Sequence, residues 1–141
     1  MIRFQLVALS GTKFDEDVYE VVLPTLDGEI GVLQDHMPLV SVGTTGVIAV
    51  RRDAKDSDSQ REYFATNGGV IEVSGNKLRM LVDEADGADE ISESEAQAAH
   101  DRAVKMKAEA KDQVSLDHAQ QLVDRTAVRI QVAGLKRRNK R

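Results

Sequence analysis

Asp27 and Glu29 are two carboxylates one residue apart, in the stretch Pro24-Thr25-Leu26-Asp27-Gly28-Glu29-Ile30-Gly31-Val32-Leu33-Gln34-Asp35-His36-Met37-Pro38. Paired carboxylates suit general acid–base chemistry, which also requires a partner within hydrogen-bond reach of the proton that moves. No His, Lys or metal-ligand partner stands at a suggestive spacing, so a solvated turn or a contact surface is favoured over a catalytic pair. His36, His100 and His118 are widely separated and form no zinc-binding pattern. His36 reads as a loop or interface residue, and the other two as residues on solvated helix faces. Gly68-Gly69 reads as a turn, because no helix follows to complete a phosphate-binding loop. There is no Walker motif and no Cys, so neither an NTPase nor thiolate chemistry is expected. The expectation is a chain with no catalytic residues, no metal and no cofactor.

Composition narrows the alternatives further. A net charge of −5 argues against general attraction to nucleic acid. Aromatics make up 4% of residues and Trp is absent, too few for a base-stacking or sugar-stacking surface. The N-terminal residues have no signal-peptide layout, and no apolar run is long enough to span a bilayer. Any association with a membrane is therefore expected to run through other proteins.

The elements that carry these residues are short strands at first. Ile2, Phe4, Leu6 and Ala8 alternate on one face, with a brief strand expected over Thr12–Phe14. Val18–Leu23 reads as a strand ended by Pro24, followed by an Asp27-Gly28 turn, a strand over Glu29–Leu33 and a loop at Asp35–Pro38. Further strands are expected over Leu39–Val42, Val47–Val50, Glu62–Ala65, Val70–Val73 and Lys77–Val82, with a polar tip at Asp53–Gln60. Strands at roughly ten-residue intervals with turn residues between them predict a β-sandwich or barrel.

The pattern changes at Asp83. Acidic residues run from there to Glu95 with no Lys or Arg, and Gly87 marks a linker. The domains are thus read as 1–86, a β-sandwich, and 87–141, a helical hairpin, in an α+β chain. Ser92-x-x-Glu95 has capping-box form, and Ala96, Ala99, Ala103, Met106 and Ala110 follow at alternating spacings of three and four. Ser115 is expected to cap a second helix, with Leu116, Ala119, Val123, Thr126, Ile130 and Ala133 on its seam. A seam built mostly of alanine buries little area, so this antiparallel hairpin either undocks readily or simply sets a close interhelical distance.

Asp27-Gly28-Glu29-Ile30-Gly31-Val32-Leu33, His36-x-Pro38-Leu39 and Asn67-Gly68-Gly69-Val70-Ile71-Glu72-Val73, in that order, resemble the epsilon-subunit family of bacterial F-type ATP synthases (delta in mitochondria). The layout of a sandwich followed by an Ala-rich hairpin with a basic end is similar as well. Gln34-Asp35 stand before His36 where the family usually carries proline, a departure that alters loop stiffness. The resemblance implies a non-catalytic rotor subunit of the central stalk, an accessory to the proton-transporting complex. Its implied partners are the gamma subunit, the c-ring and the alpha and beta subunits, and its implied location is the cytoplasmic side of the cell membrane, held there peripherally by the complex.

The resemblance also implies roles for residues. Asp27, Gly28 and Glu29 would lie nearest the c-ring, with Asp35 and His36 next. The hairpin would restrain ATP hydrolysis when extended, with Arg125, Arg129, Lys136, Arg137 and Arg138 meeting an acidic segment of the alpha/beta ring. Some members bind ATP in the folded hairpin; the matching positions are Ile91, Ala96, Arg102, Arg125 and Arg129. Ser92 and Glu95 replace the Asp and Arg of that motif, and an anion in place of a cation beside phosphate argues against ATP as a regulatory ligand here. The alternative from another class is a ligand-binding sandwich with a helical dimerisation arm.

Overall fold

The computed structural model describes residues 1–139, with side chains through Lys136. Ten strands come first: β1 (Ile2–Ala8), β2 (Gly11–Val18), β3 (Glu20–Thr25), β4 (Gly28–Leu33), β5 (Leu39–Gly43), β6 (Gly46–Arg51), β7 (Glu62–Thr66), β8 (Gly69–Ser74), β9 (Lys77–Val82) and β10 (Ala85–Gly87). Helices α1 (Glu93–Glu109) and α2 (Gln113–Asn139) follow. The strands pair in the order β10-β7-β6-β3-β5-β8-β9-β1-β2, and β4 pairs with β3 alone. All pairings are antiparallel except β1 with β9.

Alternation explains the core. Ile2, Phe4, Leu6 and Ala8 of β1 point inward and meet Leu23, Ile48, Ile71, Leu78 and Met80, all fully buried save Ala8. Burying each such large side chain is worth about 1.5–3 kcal/mol, which is why this part of the chain stands without disulfides. The three phenylalanines form a line through one side, Phe4 to Phe14 at 5.5 Å and Phe14 to Phe64 edge-on at 6.0 Å between centroids. The Arg52 guanidinium covers Phe14 at 5.0 Å, a cation–π contact.

Four local expectations are corrected. β2 runs from Gly11 to Val18 because its whole length pairs with β1, so the brief Thr12–Phe14 strand is only part of it. Pro24 sits inside β3 rather than ending it. It falls where the second neighbour of β3 changes from β6 (through Val22) to β5 (at Thr25), so the missing N–H breaks no ladder bond there. The acidic stretch read as a linker contains β10, which pairs with β7 from Ala85↔Thr66 to Gly87↔Phe64, so the sheet continues through Gly87. Finally, Asp112 rather than Ser115 caps α2: its carboxylate accepts the Ser115 N–H at 2.7 Å, which holds Asp112 below the usual carboxylate range.

The helices form the expected hairpin on a thin seam. Ser92 caps α1 by accepting the Glu95 N–H at 3.4 Å. Only Ala96 and Ala103 of α1 are buried, against Ala119, Thr126 and Ala133 of α2. His100 belongs to this seam and not to a solvated face, since its Nδ1 lies 2.9 Å from Thr126 Oγ1. The Thr126 hydroxyl donates to the Leu122 carbonyl at 2.7 Å, so its oxygen accepts from His100 Nδ1–H. His118 is exposed. A second stripe of α2, Arg125, Arg129, Val132 and Lys136, is spaced four, three and four apart; α2 packs over β6, β7 and the 3-10 turn Ala88–Glu90, with Val132 fully buried.

Candidate functional site

Three surfaces emerge, and none is a catalytic cleft. The first is the tip of the β3–β4 hairpin. Thr25 Oγ1 accepts the Asp27 N–H at 3.2 Å and donates to the Gly28 carbonyl at 2.6 Å, closing a tight loop at Leu26-Asp27. Gly28 takes φ +115°, where a side chain would be strained. The loop is also tied down by Leu26 N–H to the Val42 carbonyl at 3.2 Å. Asp27, Gly28 and Glu29 are exposed, and so is Leu26 at 71%, an apolar residue beside solvated carboxylates that composition alone did not single out.

Asp35 and His36 do not join them. They follow Leu33, at the other end of β4, roughly 17 Å away at about 3.3 Å per residue. Asp35 lies beside the β8–β9 turn, bonded to Asn76, whereas the Asp27 tip lies beside Gly43 and Thr44. The five residues grouped in the sequence thus occupy two ends of one ribbon.

The second surface was not legible as a site. On the outward face Val42, Val70 and Leu81 pair directly across β5, β8 and β9, with Val7 of β1 next in the same row. Val42, Val70 and Leu81 are 55%, 43% and 42% exposed. Val40 on the same face of β5 and Met37 just before it are more than 70% exposed. An uncovered apolar ladder with Glu72 and Arg79 along its side has the composition of an interaction surface rather than of a solvated sheet face.

The third is the join between hairpin and sandwich. Glu84 meets both Arg125 and Arg129 (3.3 Å to the latter), Asp86 pairs with Arg129, and Asp89 pairs with Lys136. Glu90 turns the other way and takes Lys13 of β2 at 2.8 Å. Lys13, with the Gly87 N–H, holds Glu90 below the usual carboxylate range. The acidic stretch is therefore a strip on which cations from α2 and β2 converge. Arg125, Arg129 and Lys136 are engaged in this state; the side chains of Arg137 and Arg138 lie outside the described residues.

Each of these pairs is partly solvated, so each contributes about 0–1 kcal/mol and is weakened by salt. Replacing Glu84→Gln together with Asp86→Asn is expected to speed amide exchange along α1 and α2, as is raising salt on the unaltered chain. The folded-state shift of Glu90 is downward, so its contribution is present above the ordinary glutamate value near 4.5 and lost as pH falls through the folded value. Hydrogen-exchange mass spectrometry at two salt concentrations and two pH values checks this; unchanged exchange would deny the strip any role in docking.

Of the positions matched to ATP binding, Ala96, Arg102 and Arg129 line one cleft of about 350 Å³ with Glu95. Arg125 lines a different cleft, with Thr45, Asn67 and His118, and Ile91 lines neither. Among the described residues no three His, Cys, Asp or Glu side chains come together as metal ligands.

Residues 1–88 match the family model described as ATP synthase, Delta/Epsilon chain, beta-sandwich domain. The chain is 31% identical over 137 residues to the ATP synthase epsilon chain of Sulfurihydrogenibium sp. (strain YO3AOP1), covering 96% of this chain and 99% of that one. It is 39% identical over 101 residues to the ATP synthase epsilon chain of Desulfitobacterium hafniense (strain Y51), covering 72% and 73%. Its fold is similar to a chain of the Euglena gracilis mitochondrial ATP synthase, OSCP/F1/c-ring, with a TM-score of 0.78 at 19% identity over 94% of this chain and 80% of that one.

Proposed function

This chain belongs to the ATP synthase delta/epsilon chain family, and from that premise we propose how its surfaces serve a non-catalytic central-stalk subunit of the F-type ATP synthase. It is an accessory subunit and carries out no reaction alone. The gamma subunit sits on the apolar ladder Val42–Val70–Leu81, extended by Val40 and Met37. The uncovered ladder carries this reading, because a row of aliphatic side chains across neighbouring strands gains most from a partner that removes it from water.

The Leu26–Glu29 tip rests on the polar loops of the c-ring. Asp27 and Glu29 supply charge there, and Thr25 holds the tip rigid enough to bear torque. Asp35 and His36, at the opposite end of β4, flank the gamma-facing surface next to Met37. The complex is membrane-associated, and we place this subunit peripherally on the cytoplasmic side of the cell membrane; no helix among the described residues is long and apolar enough to cross a bilayer. The hairpin restrains ATP hydrolysis when α2 leaves the acidic strip and presents Arg125, Arg129, Lys136, Arg137 and Arg138 to an acidic segment of the alpha/beta ring. No cofactor is required, since Glu84 and Asp86 already supply the anions that Arg125 and Arg129 would seek from ATP.

Val70→Asp, alone and with Val42→Asp, tests the central point. Both positions are exposed, so the sandwich is expected to keep its melting temperature within a few degrees. Affinity for the gamma subunit is expected to fall at least about tenfold, the equivalent of 1.4 kcal/mol. Unaltered gamma binding by the double variant would sink the assignment of this face.

A further inference from the structure

Asp35 (φ +64°) and Asn76 (φ +60°) are the two non-glycine residues among the described residues with positive φ, and they are bonded to each other across 41 positions of sequence. The Asp35 N–H donates to Asn76 Oδ1 at 2.7 Å, and Asn76 Nδ2 donates to Asp35 Oδ1 at 3.3 Å. Left-handed backbone is uncommon outside glycine, and Asn and Asp tolerate it best because their short polar side chains bond locally. Here each left-handed bend aims its side chain at the other. The Asn76 carbonyl also accepts the Arg3 N–H at 3.0 Å, which ties the β8–β9 turn to β1.

The segment held this way is short, and its other ties are a bond between the His36 ring Nδ1 and the Met37 carbonyl at 2.6 Å and the two that follow. Gln34–Pro38 leaves β4 and enters β5, His36 N–H returns to the Leu33 carbonyl at 3.2 Å, and Met37 is 73% exposed at the edge of the apolar ladder. The Met1 amino group donates to the Gln34 side chain, a further tie at the same end. We propose that Asn76 is a positioning residue for gamma recognition: by clamping Asp35 it sets the pose of His36 and Met37 against the edge of the ladder. This rests on the gamma-facing assignment of that ladder. The two bonds are unequal. The shorter one runs from the Asp35 backbone, so Asn76 carries both bonds and the Asp35 carboxylate only the longer one.

That asymmetry makes the test specific. Glycine accepts positive φ freely, so Asn76→Gly and Asp35→Gly each remove a side chain without straining the backbone. In the full-length chain, Asn76→Gly is expected to expose the Asp35 amide to exchange and to speed dissociation from purified gamma subunit about fivefold, in line with losing one to two exposed hydrogen bonds. Asp35→Gly keeps the amide of residue 35 protected and removes only the longer bond, so it is expected to speed dissociation by less than Asn76→Gly does. The exchanged pair Asp35→Asn with Asn76→Asp keeps both bonds with the side-chain donor on the other partner, and is expected to bind as the unaltered chain does. Gamma dissociation unchanged by Asn76→Gly, or affected equally by Asp35→Gly, would overturn the proposal. Val70→Asp run in parallel separates the two layers: if it weakens gamma binding while Asn76→Gly does not, only the clamp fails, whereas if neither weakens it the gamma-facing assignment fails with it.

Discussion

Removing everything after Ala88 is expected to raise ATP hydrolysis by the assembled complex several-fold while leaving binding to the gamma subunit and the c-ring intact. The cut keeps β10, whose Ala85–Gly87 pairing covers the edge of β7. The hairpin it removes is held by little. Four alanines and a threonine on the interhelical seam, with Val132 on the sandwich side, bury about 0.8 kcal/mol per methylene-sized group, and the ion pairs add no more than about 1 kcal/mol each. On the proposed reading, an element held by a few kcal/mol undocks often enough to act, and the basic face of α2 then trades the acidic strip for an acidic partner. Full-length and truncated chains reconstituted with the remaining subunits, and assayed for hydrolysis, decide the matter. Equal rates would mean that the hairpin imposes no restraint.

Gly69→Ala is expected to destabilise the sandwich by more than about 4 kcal/mol, the range reached only by severe lesions. A Cβ at Gly69 would lie 1.9 Å from the Leu81 carbonyl oxygen and 3.0 Å from the Val82 Cα. Both atoms are backbone of β9, and they cannot retreat without breaking the Gly69↔Val82 register. The demand here is for close approach of two strands rather than for an unusual φ; the left-handed position of that turn is Gly68, at φ +101°. Gly31→Ala is the matched control, since its Cβ would find only the Glu20 carboxylate at 3.8 Å, and its urea midpoint is expected to move little. A Gly69→Ala variant that unfolds at the same urea concentration as Gly31→Ala would refute the packing argument.

Much of the fold was legible because its determinants are local. The period-two alternation of Ile2, Phe4, Leu6 and Ala8 appears as β1 with those four residues buried. Ser92 caps α1 as its position predicts, and the alanine stripe faces a partner helix because alternating threes and fours keep one face of a helix in line. These features depend on residues within one or two turns of each other.

What local pattern could not decide was pairing at a distance. Asp27 and Asp35 look like neighbours in the chain, yet an extended β4 carries them to opposite ends, so one apparent site becomes two. Glu84 and Asp86 looked like solvated linker; they are paired because α2, some forty residues later, brings Arg125 and Arg129 over β7. The apolar ladder exists only because the registers of β5, β8 and β9 align Val42, Val70 and Leu81. The sequence by itself determined most of the elements and the periodicities of their faces, but not β10, whose pairing with β7 is long-range. The tertiary structure decided which faces remain uncovered and which charges find partners, since cross-strand register and helix docking are set by the whole core at once and leave no signature in neighbouring residues.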